Sequence, residues 1–224
     1  MIVINEKVAS LYPGTYLGVL VLDGIKGPVD EAAWAQAADR VTNELSARYG
    51  HLSRAEIKQT APAKAFVSYY KLFGQSYHLL GQLDSVLKKK KPLAMAPSLP
   101  AAMFLAEMES LLLIAGHDLD RLEGPMELVV TGPGEEYLGL SGRENKTVAD
   151  DLAIQDRQGL ISTIIKGPDQ RSRLTAKTSR ALFTVYGPPG VAVDDLDRLL
   201  DRLIQYVRLT AGQTTVERRE ILAA

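Results

Sequence analysis

The feature that most restricts how this chain can fold is a change of hydrophobic period near its middle. Before the change, apolar residues recur at helical spacing. Trp34, Ala37, Ala38, Val41, Leu45 and Tyr49 form one stripe, and Leu79, Leu80, Leu83, Val86 and Leu87 form another. Residues 101–115 are strongly apolar, which predicts a central buried helix stopping at Gly116. Beyond it come short runs separated by Gly, Pro, Asp and Asn, at residues 126–130, 137–140, 152–154, 160–165 and 181–186. Runs of that length between turn residues read as strands, so the second half is predicted to be sheet.

Two further elements flank this pattern. Residues 16–23, apolar between Pro13-Gly14 and Gly24, suit a buried strand, and Asp30 opens the helix that Gly50 ends. Near the C-terminus, Val193, Leu196, Leu199, Leu200, Leu203, Ile204 and Val207 share one helical face, with Asp194 and Asp195 at its positive end and Gly212 as its stop. Pro92 to Pro100 is a Pro-rich connection, and no fixed-period repeat or long linker divides the chain. The expectation is one α+β domain over residues 1–224, with a β-rich body of mixed or antiparallel sheets flanked by helices.

Composition excludes several classes of function. The 26 basic and 27 acidic residues leave a net charge of −1, so any RNA contact must be local rather than the work of a strong overall positive field. The absence of cysteine removes disulfides, thiolate nucleophiles and cysteine-bound zinc. His51, His78 and His117 form no His-x-x-x-His pair, so neither a metal nor a cofactor is expected. No apolar run approaches the ~20 residues of a membrane span. The first residues turn charged before a signal region develops, and a cytoplasmic protein with no membrane partner is expected.

Candidate site residues concentrate in two segments, Ala115-Gly-His-Asp-Leu-Asp120 and residues 155–173. His117 follows the glycine expected to end the buried helix. It can complement that helix end, or serve a pocket together with Asp118 and Asp120. Asp156 and Asp169 are carboxylates in apolar, Gly-punctuated surroundings, and Asp169 lies in a Gly167-Pro168-Asp169 turn where an aspartate often bonds to its own backbone. Arg171 and Arg173 alternate after that turn and, as strand residues, would point to one face suited to a carboxylate or phosphate. Ser162 has no Gly-x-Ser-x-Gly elbow around it, which leaves it as a substrate contact and not a nucleophile. Lys88, Lys89, Lys90 and Lys91 sit where a helix should end. They read either as a solvated helix terminus or as an RNA-phosphate patch.

Several of these segments, taken in order, resemble one family. Ala115-Gly-His-Asp-Leu-Asp120 resembles the Pro-Leu-His-Ala-Tyr-Asp motif of the editing, or tRNA-binding, domain of the phenylalanyl-tRNA synthetase beta subunit, the B-three/B-four module. Leu122-Glu-Gly124, Gly134-Glu135, Ile154-x-Asp156 and Gly167-Pro-Asp169 resemble that domain's Ile-x-Gly, Gly-Glu, Ile-x-Asp and Gly-Gly-Glu segments. Tyr70-Lys-Leu-Phe-Gly74 and Ser85-Val-Leu-Lys88 are similar to segments of its stand-alone relatives. The resemblance spans roughly residues 62–189.

The resemblance implies the fold of that domain and recognition of the acylated end of a tRNA, with hydrolysis of a wrongly attached amino acid by water attack. It implies the pocket histidine's position for His117 and that of the side-chain-reading glutamate for Asp169, with Gly167 letting the backbone approach the substrate. Three departures qualify the transfer. Asp169 is one methylene shorter than Glu, Met103 and Ala106 stand where synthetase copies tend to carry Asp and Asn, and no aminoacylation or ATP-binding segment is present. Two functions are therefore expected. One is a free-standing editing hydrolase acting in trans on mischarged aminoacyl-tRNA, with Arg171 or Arg173 holding the terminal phosphates. The other is a non-catalytic module binding RNA or an amino-acid-like small molecule.

Overall fold

Long-range strand pairing decides where the elements of this chain meet. The computed structural model describes residues 2–93 and 95–224. The described chain opens with β1 (Ile2–Ile4), α1 (Glu6–Leu11) and β2 (Tyr16–Lys26). Helices α2 (Glu31–Tyr49), α3 (Arg54–Ile57), α4 (Ala63–Leu72), α5 (Leu79–Leu87) and α6 (Leu99–Ser110) follow. Then come β3 (Leu113–Asp118), a 3-10 turn (Leu119–Arg121), β4 (Met126–Val130), β5 (Glu136–Leu138), β6 (Glu144–Lys146), β7 (Leu152–Asp156), β8 (Gly159–Thr163) and β9 (Gly167–Pro168). The last elements are β10 (Ala181–Gly187), α7 (Val193–Thr210) and β11 (Gln213–Ala223).

The strands build two sheets and a hairpin. One sheet runs β1-β4-β7-β8-β9, with β1 parallel to β4 and the other pairs antiparallel. The second, β11-β2-β10-β3, is antiparallel throughout, and β5 pairs with β6 alone. The fold is α+β, with mixed and antiparallel sheets flanked by helices, as the sequence pattern predicted. Leu17, Leu20 and Leu22 of β2, Phe183 of β10, Leu105 and Met108 of α6 and Leu203 of α7 lie in one continuous apolar core.

Local chemistry explains the helix ends. The Asp30 side chain accepts from Ala33 N at 2.9 Å and so satisfies a free donor at the start of α2, while Gly50 N closes on Ser46 O at its end. Along α7, Leu196, Leu199, Leu200, Leu203, Ile204 and Val207 are buried as the stripe requires, whereas Val193 at its first position is exposed. The aromatic residues of α4 join the helices to the first sheet. Tyr69 Oη donates to Asp151 Oδ1 at 2.7 Å and accepts from Leu152 N at 2.6 Å, and Tyr70 Oη donates to Ile164 O at 3.1 Å.

The structure corrects three expectations. The helix expected over residues 101–115 ends at Ser110, and residues 113–118 form β3. An apolar run carries no period to separate buried helix from buried strand, and here pairing of β3 with β10 decides. Leu111 makes the break in a left-handed conformation at φ 57°, with its N–H closing on Glu107 O at 2.7 Å. His117 is consequently a strand residue, and the reading of it as a helix-end complement falls away. Arg171 lies in a turn rather than a strand, and Arg173 makes only a single bridge, to His117, so the two do not share a strand face. Finally, β1, α1 and β11 were not expected. In β11, four charged residues, Glu217 to Glu220, interrupt any period-2 alternation and no residue is fully buried, a weak pattern.

Candidate functional site

The site is assembled where the edge of the second sheet meets the end of the first. β3 carries His117 into contact with the segment after β9, through the bridge between His117 and Arg173 and the bond from Asp118 N to Ser172 O at 2.7 Å. β7 delivers Asp156 at its last position. The Gly167-Pro168-Asp169 segment, expected as a turn, is instead β9 followed by a bridged Asp169, because it pairs with β8, where Asp169 N donates to Ile161 O at 2.8 Å. On the other side is the β5–β6 hairpin, through the bridge of Gly139 to Asp169 and the bond from Gln170 N to Leu138 O at 2.8 Å. Gly167 has φ 79°, a conformation that favours glycine, and its carbonyl accepts from Tyr137 Oη at 2.6 Å.

These elements bring His117, Asp156, Asp169 and Arg171 into one chain of hydrogen bonds and ion pairs. Arg171 donates from Nη1 and Nη2 to the two oxygens of Asp156, each at 2.9 Å, and Nη1 also donates to Arg121 O at 2.9 Å. Its Nε lies 3.5 Å from Asp169 Oδ2. The other Asp169 oxygen accepts from Ser172 N at 3.1 Å and from Ser172 Oγ, whose hydroxyl oxygen in turn lies 2.7 Å from His117 Nδ1. His117 is fully buried, and its Nε2 has no hydrogen-bond partner among the described residues.

The chemistry of each group follows from its surroundings. Burial pushes the His117 imidazole down to about 3, with Arg171 adding to the fall and Asp156 opposing it. The ring is therefore neutral at physiological pH. Burial raises the Asp169 carboxyl above its ordinary value, against the pull of the Ser172 hydrogen bonds and the Arg171 charge. Burial also acts to raise Asp156, but there the Arg171 fork and the N–H groups of Glu123 and Gln158 win and hold the carboxyl below its ordinary value.

A cleft of about 680 Å³ opens over this chain. Asp169, Arg171, Arg173 and Arg121 line it, with Tyr137, Leu138 and Leu160 as its less polar walls and Glu136, Gln158 and Gln170 at its polar edge. Arg173 is exposed and makes no ion pair among the described residues, while Arg121 keeps only a 3.8 Å approach to Asp118. His117 does not line the cleft and reaches it through Ser172 and Asp169. α6 supplies no polar partner beside His117. Its Met103 packs so closely on β3 that a Cβ at Gly116 would lie 2.5 Å from the Met103 sulfur.

Two other groups of candidate residues lie elsewhere. Ser162 is fully buried, with its hydroxyl 2.6 Å from Tyr186 Oη, and is not among the residues lining the cleft. Lys88, Lys89, Lys90 and Lys91 are exposed just past α5. Lys88 pairs with Asp84 at 2.8 Å, and Lys90 and Lys91 line a separate groove against Thr42 and Ser46 of α2. Ser172, the member that joins His117 to Asp169, was missed in the sequence. The available signal was its place three residues after an aspartate, a spacing at which a side-chain oxygen caps a turn. No group of three His, Asp or Glu residues among the described residues could hold a metal ion, and no described helix is long and apolar enough to cross a membrane.

No family model matches the chain, and no curated protein matches it. Among solved structures, the chain is similar to an N-terminal fragment of the phenylalanyl-tRNA synthetase beta-subunit from Pyrococcus horikoshii, at 10% sequence identity and a TM-score of 0.48. The match covers 99% of this chain and 50% of that one, so the chain spans about half the length of the fragment.

Proposed function

We propose that the cleft over Asp169 binds the acylated acceptor end of a tRNA, as a stand-alone relative of the synthetase editing domain would. The observation that carries this reading is the pairing, in one cleft, of a carboxylate with Arg173, which makes no ion pair among the described residues, and Arg121, which keeps only a 3.8 Å approach to Asp118. An aminoacylated RNA end presents an α-ammonium beside phosphates. Asp169 suits the ammonium, Arg173 and Arg121 suit the phosphates, and Tyr137, Leu138 and Leu160 offer a surface for the side chain or the terminal base. Arg171 is already engaged by Asp156, so it shapes Asp169 more than it attracts phosphate. The volume falls within the range of about 300–1,000 Å³ usual for ligand sites. The ordered motif resemblance over residues 62–189 supports the same reading.

Arg173→Ala tests it. An RNA acceptor hairpin should bind the variant more weakly, with the salt dependence of binding reduced by about one phosphate contact. An unchanged affinity and slope would remove the phosphate-holding role of Arg173.

A second reading adds hydrolysis of the ester in trans, and a specific observation favours it. Asp169 has a raised carboxyl pKa and is backed by a buried hydroxyl and imidazole, an arrangement suited to accepting a proton from an attacking water. Ester loss from a panel of correctly and wrongly acylated tRNAs, measured against the spontaneous rate, decides between binding alone and turnover. Selective loss that disappears in Asp169→Asn establishes turnover. Loss at the spontaneous rate across the panel leaves binding alone.

A further inference from the structure

The link between His117, Ser172 and Asp169 has one side-chain proton for each of its two side-chain contacts, and assigning them fixes where each proton sits. Ser172 Oγ touches Asp169 Oδ1 and lies 2.7 Å from His117 Nδ1. A serine hydroxyl has one proton to give and lone pairs to accept. An ionised carboxylate is a stronger acceptor than a neutral ring nitrogen, so the hydroxyl proton goes to Asp169. The serine oxygen must then accept, and the only donor that Nδ1 can offer is Nδ1–H. A neutral histidine carries one ring proton, so Nε2 holds a bare lone pair, and that atom is buried with no partner among the described residues.

We infer that Ser172 is a positioning residue that joins His117 to Asp169 as a proton relay, with the bare Nε2 as its receiving end and the Asp169 carboxylate in the cleft as its delivering end. The group it serves is an O–H or N–H donor, such as water or a hydroxyl, that reaches Nε2. When that donor gives up its proton, an N–H bond forms at Nε2. The Nδ1–H bond breaks as its proton passes to Ser172 Oγ, and the original hydroxyl proton passes to Asp169 Oδ1. The donor is left as its conjugate base, Asp169 becomes neutral, and serine and imidazole keep their proton counts. No charged imidazolium forms in this buried position, where a charged ring is costly. Arg171 and Asp156 face both His117 and Asp169, and Arg121, Arg173, Glu136 and Tyr137 share the cleft with Asp169, so these groups set the field in which the relay works.

The inference holds whatever the ligand of the cleft, and its test needs no ligand. Full-length protein labelled with 15N-histidine reports which ring nitrogen of His117 carries the proton, once His51→Gln and His78→Gln assign the other two rings. At neutral pH the expected signal is a protonated Nδ1 and a bare Nε2. Ser172→Ala should shift the ratio toward the Nε2–H tautomer, and Ser172→Thr, which keeps the hydroxyl, should restore Nδ1–H. A wild-type His117 with Nε2–H and a bare Nδ1 overturns the inference, as does a tautomer unchanged in Ser172→Ala. Failure of RNA binding, by contrast, would leave the tautomer result standing and bear only on the ligand.

Discussion

At the residue scale, Asp156 and His117 are buried polar groups whose costs are met in different ways. Asp156 keeps its charge because Arg171 and two backbone N–H groups surround it. Arg171→Ala leaves that carboxylate buried without its cation and should cost about 3 kcal/mol, the lower end of the range for a broken buried pair. The lower end applies because the guanidinium is 30% exposed. Urea unfolding measures it, and a loss within experimental error would mean that the backbone donors suffice. His117 meets the cost of burial by staying neutral. Its folded value of about 3 lies below the ordinary 6.5, so the unfolded chain takes up the proton first. The stability contributed by neutral His117 is therefore lost as pH falls below the ordinary value, with a slope approaching about 1.4 kcal/mol per pH unit. His117→Gln removes the titrating ring, so its urea midpoint should fall less than that of the wild type between about pH 7 and about pH 5. Parallel midpoints would show that the ring is not held neutral.

At the element scale, α4 depends on a few polar anchors as well as on its apolar face. Tyr69→Phe deletes the hydroxyl that bonds both Asp151 and Leu152 N and leaves those buried groups short of a partner, at an expected cost of about 1–3 kcal/mol by urea unfolding. A cost near zero would mean that α4 is held by packing alone. Elements with a clear period were legible in the sequence. These include α2 with its Asp30 cap, α7 with its leucine stripe, and the strand runs at β4, β7 and β10. The boundary between α6 and β3 was not legible, because apolar residues continue past Glu107, Glu109 and Ser110 through residues 111–115 and only the pairing of β3 with β10 makes the last part a strand. The same boundary moved His117 from a helix end to a strand. The site was legible as a set of residue types, since His117, Asp156, Asp169 and Arg171 do come together. Its wiring was not, because Ser172 gains its role only from a bridge between β3 and a turn distant in sequence.

At the scale of the whole molecule, a net charge of −1 means that attraction for a polyanion has to be local, and two of the basic regions among the described residues hold candidate contacts. One is the cleft rim with Arg121 and Arg173, and the other is the Lys88 to Lys91 segment beside α2. If the acceptor end enters the cleft, the lysines can add only backbone attraction. Neutralising all of them should flatten the salt dependence of RNA binding while leaving any preference for the acylated end intact. A lost preference would place the reading of the acyl group at the lysines instead of the cleft. The most direct test of the central claim compares the affinity of the wild-type protein for one tRNA in acylated and deacylated forms, at fixed salt and with a stable amide in place of the ester. Tighter binding of the acylated form is expected, with loss of that preference in Asp169→Asn. Equal affinity for the two forms would contradict it.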